Sequence, residues 1–127
     1  MKGQKILSRR ERQIMDIIYE LNEATVSQVL DQIPNPPSYS TVRALLRVLE
    51  DKGHLIHKHE WPRYIYRPTV PREKASKNAL KQLKKTFFNN STEEVFAALL
   101  DLSEKDMSEK DYRRLTELIK KARKEGR

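Results

Sequence analysis

The feature that most constrains this chain is a double change in hydrophobic period. Apolar residues recur at helical spacing through the first fifty positions, at strand spacing for about a dozen, and at helical spacing again to the end. Ile14, Ile17, Ile18 and Leu21 stand at i, i+3, i+4 and i+7 and mark one face of a helix over Ser8–Leu21. Ser8 with Glu11 three residues on has the form of a capping box, which closes the free amides at a helix start. After Asn22-Glu23-Ala24, a short connector, Thr25 and Gln28 repeat that box and open a second helix. Its buried face would carry Val26, Val29, Leu30 and Ile33. Pro34, Pro36 and Pro37 end it, since proline removes an amide donor and restrains the residue before it.

A third helix is expected from about Ser38 to Lys52, with Val42, Leu45, Leu46 and Leu49 as its stripe and Gly53 as the residue that turns the chain out of it. The period then falls to two. Leu55–His59 and Tyr64–Tyr66 read as paired strands around a Glu60-Trp61-Pro62-Arg63 tip, bounded by Pro68 and Pro71. Three helices and a hairpin describe a winged helix-turn-helix, so the fold expected is mainly α with a small β-hairpin.

From Arg72 the helical period returns. Ala75, Ala79, Leu83 and Phe87 mark one helix, which Asn89-Asn90 breaks. Ser91 and Glu94 form a third capping box, opening a helix with Val95, Phe96, Leu99 and Leu100. Ser108 caps the last, with Tyr112, Leu115, Leu118 and Ile119 on its apolar face. The tandem SEKDM and SEKDY pentads read as two successive helix starts rather than as a structural repeat. Three short amphipathic helices cannot hide all these faces within one slender tail, and a second copy of the chain is the cover they suggest. The organisation expected is therefore a DNA-binding region over residues 1–70 and a helical dimerisation region over 71–127.

The net charge of +8 suits a polyanionic partner, but the excess is shared by both halves, so its placement matters more than its total. The second helix of a helix-turn-helix offers its N-terminal part to the major groove. Here that part carries Ser38, Tyr39, Ser40 and Thr41, then Arg43 and Arg47, and residues 39, 40, 43 and 47 lie off the apolar stripe. Arginine can pair both N7 and O6 of guanine, and hydroxyls meet base edges or phosphates. In an isolated helix the same serines and threonine would more often be caps and the arginines solvated. Lys58, His59 and Arg63 give the hairpin positive charge for phosphate or minor-groove contact. Trp61 at the tip either wedges into a partner or packs on the hairpin's own face, the second being the commoner arrangement. Lys2, Lys5, Arg9 and Arg10 either reach phosphates or form a solvated tail.

The alternatives to a DNA-binding protein are weaker. There is no cysteine, which excludes disulfides, thiolate metal sites and cysteine nucleophiles. His54, His57 and His59 have no cysteine or clear carboxylate partner nearby, so no metal and no cofactor is expected. No phosphate-binding glycine loop, nucleophile elbow or zinc-protease motif is present, so no enzyme is expected. The paired carboxylates Glu93/Glu94 and Asp106/Glu109 stand at helix starts, where they favour the helix dipole. No apolar run approaches the ~18 residues of a membrane span, and the N-terminus has no signal-peptide core, so a cytoplasmic protein with no membrane partner is expected. A winged helix serving as a protein-interaction adaptor without selective DNA binding is the remaining alternative.

The run Leu7-Ser8 with Glu11, Ile14 and Met15, the stretch Ser40–Gly53 (STVRALLRVLEDKG) and the wing Arg63–Pro68 (RYIYRP) resemble the penicillinase repressor family of the BlaI/MecI/CopY type. The resemblance is carried by residues 7–68; the tail matches in length and helical layout. It implies a homodimer that represses transcription from a pseudo-palindromic double-stranded operator, with groove-reading positions at Ser40, Thr41 and Arg43. It also implies, for antibiotic-sensing members, inactivation by a regulatory protease in the C-terminal helices. The corresponding point here is Asp101-Leu102, where the Asn-Phe or similar scissile pair is lacking. The Cys-x-Cys pairs of copper-responsive members are also lacking, and position 48 is Val where members often carry Arg.

Overall fold

The computed structural model describes residues 6–103 and 105–126. Among them the chain forms α1 (Arg9–Leu21), α2 (Val26–Gln32), α3 (Tyr39–Asp51), β1 (Leu55–Glu60), β2 (Arg63–Pro68), α4 (Arg72–Phe87), α5 (Thr92–Leu102) and α6 (Glu109–Lys124). It divides into two compact units at Asn78–Ala79.

In the first unit α1, α2 and α3 each begin where a side chain satisfies a free amide. Ser8 Oγ accepts from Glu11 N, and Glu11 Oε1 accepts from Ser8 N at 2.9 Å. Thr25 and Gln28 do the same for α2. Ser38 caps α3 by accepting from Thr41 N at 3.2 Å. The ends are equally local. Asn22 follows α1 at φ 75°, and Gly53 follows α3 at φ +87°, a left-handed conformation that glycine adopts without a Cβ clash.

The three helices then bury their apolar faces against one another and against the root of the hairpin. Ile14 and Ile18 of α1, Val29 of α2, Val42, Leu46 and Leu49 of α3 and Leu55 of β1 are sealed from solvent. Each contributes roughly 1.5–3 kcal/mol relative to an exposed side chain. Leu45, expected on the α3 stripe, is only partly buried at the edge of this core, as is Leu30 of α2. β1 and β2 pair antiparallel, Leu55 opposite Pro68 through Glu60 opposite Arg63, which leaves Trp61-Pro62 as a two-residue tip with a cis peptide bond.

The connector after α1 is more than a linker. Ala24 N donates to Tyr66 O at 2.9 Å and Tyr66 N donates to Ala24 O at 2.8 Å, so the connector adds a one-residue bridge to the wing. A single residue has no period, which is why it was not visible in the pattern.

The second unit consists of helices with open faces. Ser108 and Asp111 form a capping box at α6. At α5 Ser91 Oγ accepts from Glu94 N, but Glu94 does not complete the expected box; its Oε1 instead accepts from Asn89 Nδ2 at 3.4 Å. Asn89 and Asn90 both stand at positive φ, which asparagine tolerates better than most residues and which turns the chain after α4. No described residue of α4, α5 or α6 is buried.

Candidate nucleic-acid interface

Residues 42, 46 and 49 of α3 are spent on the core, and the opposite side of the helix faces solvent. Tyr39, Ser40, Arg43, Ala44 and Arg47 are exposed there. The hydroxyls at the helix start are linked: Ser38 Oγ lies 2.9 Å from Thr41 Oγ1 and 3.2 Å from Ser40 Oγ. Ser38 is therefore occupied as a cap, while Ser40 and Thr41 retain acceptor capacity toward solvent.

The wing stands beside this face. Ser40, Arg43, Arg47, Glu50, His57 and Tyr64 share one groove between α3 and the hairpin. Arg43 also lines a neighbouring cleft with Tyr39 and Arg63. The side chains of Arg43, Arg47 and Arg63 make no hydrogen bond or ion pair with another described residue. The three guanidinium groups thus lie along two adjoining clefts that share Arg43, and groups of this kind suit phosphate and base-edge acceptors. Lys58 differs. Strand alternation puts it on the other side of the hairpin from His57 and His59, and its ammonium lies 3.3 Å from Glu60.

Of the three histidines, His57 and His59 belong to an aromatic face of the wing. His57 stacks on Tyr64 at 4.3 Å and 20°, and His59 meets Tyr64 edge-on at 5.0 Å. Tyr66 anchors this face in the core, and burial, reinforced by the Glu50 carboxylate, pushes its phenol above the usual range. Among the described residues no group of three metal-ligating side chains gathers. Trp61 does not pack on the hairpin as expected. It is 85% exposed, and its ring meets that of His59 nearly perpendicular at 6.1 Å between centroids. Arg9, Arg10 and Arg12 lie together on a separate patch of α1, where Arg10 donates to Gln13 at 2.9 Å; Lys2 and Lys5 lie outside the described residues.

Two interactions that position α3 were not apparent in the sequence. Lys52 Nζ, at the C-terminal end of α3, lies 2.8 Å from Glu11 Oε1 at the start of α1, with the Glu11 side chain only 6% exposed. The hydrogen bond from Lys52, with that from the Ser8 amide, holds the Glu11 carboxyl below the usual carboxylate range. Glu50, near the same end, meets His57 of β1. The partners in these pairs stand in different elements, beyond the reach of any local pattern.

A helix-turn-helix whose second helix is open, arginine-bearing and flanked by a hairpin defines the class of winged-helix DNA-binding proteins. Within that class the chain belongs to the penicillinase repressor family, whose model matches residues 7–121. It is thus a member of a family of DNA-binding transcriptional repressors. No curated protein matches the sequence. Among solved structures, BpsR of Bordetella bronchiseptica, whose DNA binding is regulated by 6-hydroxynicotinic acid, is 15% identical. That match covers 80% of this chain and 76% of the other, with a TM-score of 0.48, and a superposition that loose adds nothing to the assignment. No helix among the described residues is long and apolar enough to cross a membrane.

Proposed function

We propose that the protein acts as a homodimeric, non-catalytic repressor on a pseudo-palindromic DNA operator, in the cytoplasm, with residues 1–70 reading DNA and 71–127 pairing the chains. The observation that carries DNA reading is the set of free guanidinium groups of Arg43, Arg47 and Arg63 along two adjoining clefts. Ser40, Thr41 and Arg43 take base edges, Arg47 takes a base or phosphate, and Arg63 takes phosphate from the wing. Tyr39 is 50% exposed and lies beside the same backbone path. Lys58 contributes to phosphate only by giving up Glu60.

Pairing is supported by the open faces of the second unit. Phe96, Leu99 and Leu100 of α5 are 43%, 49% and 41% exposed, and Leu118 and Ile119 of α6 are 62% and 52% exposed. Val95, Leu115 and Tyr112 extend the same apolar surface. A second copy covers them and sets two recognition helices about one DNA turn, ~34 Å, or a multiple of it, apart. Control by a protease would act at Asp101-Leu102, the end of α5, where Leu102 is 81% exposed.

The test is selection of duplexes from a randomised library, followed by anisotropy titration of the selected duplex and of a mixed-sequence control. A symmetric, salt-sensitive site with two protein chains per duplex is expected. Retention of no duplex selectively sinks the proposal and leaves the adaptor alternative.

A further inference from the structure

Glu50 extends the row on α3 that carries Arg43 and Arg47, three residues beyond the second arginine, and faces the same groove. A carboxylate there is unfavourable for a surface meant to meet phosphate, since like charges repel. Its partner suggests why it is present. Glu50 Oε2 lies 2.6 Å from His57 Nδ1, and the two side chains are only 29% and 32% exposed. The His57 ring lies flat on Tyr64 at 4.3 Å and leans on Tyr66 at 5.7 Å. Tyr66 is buried, and its main chain is bonded on both sides to Ala24. A continuous set of contacts therefore runs from the last turn of the recognition helix, through one carboxylate and one imidazole, into the aromatic face of the wing.

The geometry points to Glu50 and His57 as positioning residues for DNA reading: their clasp sets the wing against α3, so that Arg63 meets the backbone while Arg43 and Arg47 meet the base edges. This rests on the DNA-reading role proposed above. Neither residue needs to touch DNA. The chain leaves α3 through Gly53 at φ +87°, a backbone position with no side chain to brace it. The clasp supplies a brace on the groove side.

The sign of the effect separates this from simpler accounts. If Glu50 acted only through its charge, Glu50→Ala would remove repulsion and strengthen binding to every duplex. If His57 only packed, His57→Ala would weaken selected and mixed-sequence duplexes alike. Positioning requires something else. Glu50→Ala and His57→Ala should each weaken binding to the selected duplex about tenfold, the scale of one charge-assisted hydrogen bond. The double variant should lose no more than either single one, because both remove the same interaction. Binding to a mixed-sequence duplex of equal length should change less than about twofold, since phosphate contacts carry most of it. Glu50→Gln keeps an oxygen that accepts from His57 Nδ1–H and should restore most of the selected-duplex affinity.

The measurement is anisotropy titration of the full-length chain against both duplexes, with the melting temperature of each variant recorded alongside. Glu50→Ala that binds the selected duplex as tightly as the parent or tighter overturns the clasp. So do additive losses in the double variant, or equal losses on both duplexes. Arg43→Ala serves as the control: if it weakens the selected duplex while the clasp variants do not, the clasp alone falls. If Arg43→Ala has no effect either, the DNA-reading assignment falls with it.

Discussion

Replacing Lys52 by methionine is expected to destabilise the winged-helix unit in a way that depends on pH. Lys52 Nζ and Glu11 Oε1 are 2.8 Å apart, the Glu11 side chain is 6% exposed and the Lys52 side chain 26% exposed. Breaking a fully buried ion pair by removing one partner costs about 3–5 kcal/mol, whereas an exposed pair is worth ~0–1 kcal/mol. Solvent reaches Lys52 but hardly reaches Glu11, so the cost lies between these limits, about 2 kcal/mol at neutral pH. The remaining partner of Glu11 is the Ser8 amide, which bonds a carboxylate but does not neutralise it.

The sign of the pH dependence follows from the direction of the Glu11 shift. Its folded-state carboxyl is held below the usual value, so its contribution is present above the unfolded glutamate range, near pH ~4.3, and is lost as pH falls through the lower folded value. Lys52→Met removes the largest cause of that shift. The gap between parent and variant should therefore be widest near neutrality and shrink in acid. Urea unfolding followed by circular dichroism, at fixed chain concentration and several pH values, measures it. Adding Glu11→Gln to Lys52→Met should recover most of the loss, because the amide leaves no buried charge and still accepts from Ser8. A gap below about 0.5 kcal/mol at neutral pH, a level typical of exposed pairs, or one that stays constant into acid, would refute the reasoning.

Arg43→Ala should weaken the selected duplex by about 1–3 kcal/mol and relax selectivity at one base pair per half-site, whereas Arg63→Ala should weaken all duplexes more evenly and reduce the salt slope; titrations at three salt concentrations distinguish them. Leu99→Glu places a charge in the open face of α5 and should leave the chain monomeric in sedimentation at micromolar concentration; a persistent dimer would place the interface elsewhere. Leu46→Ala removes a fully buried side chain and should cost about 2–5 kcal/mol in urea unfolding. Gly53→Ala meets no atom within 4 Å but must adopt φ +87°, so a loss of about 1 kcal/mol with unchanged DNA selectivity is expected from the same measurements.

The sequence by itself determined most helix starts, the order of elements and the exposed face of α3; the SEKDM pentad, expected as a helix start, instead begins with Ser103 ending α5. Ser8, Thr25, Ser91 and Ser108 cap where the pattern places them, since a cap is settled within one turn by a side chain and an amide three residues on; Ser38, expected among the groove-reading residues, caps α3 as well. The arginines at 43 and 47 are legible for the same reason: helical spacing alone sets them opposite Val42, Leu46 and Leu49. Even local rules fail where two partners compete, as at Glu94, which accepts from Asn89 instead of completing its box.

Tertiary structure decided everything that depends on which elements meet. Glu11 with Lys52, Ala24 with Tyr66 and Glu50 with His57 join segments whose approach follows from packing three helices and a hairpin around one core. A glutamate at position 11 reads the same in sequence whether it ends in water or in an ion pair. Only burial, by removing solvent from one side of the carboxylate, makes its partner matter. The histidines show the same division: their alternate spacing was visible, but the register of β1 on β2 was needed to set them against tyrosines and one glutamate.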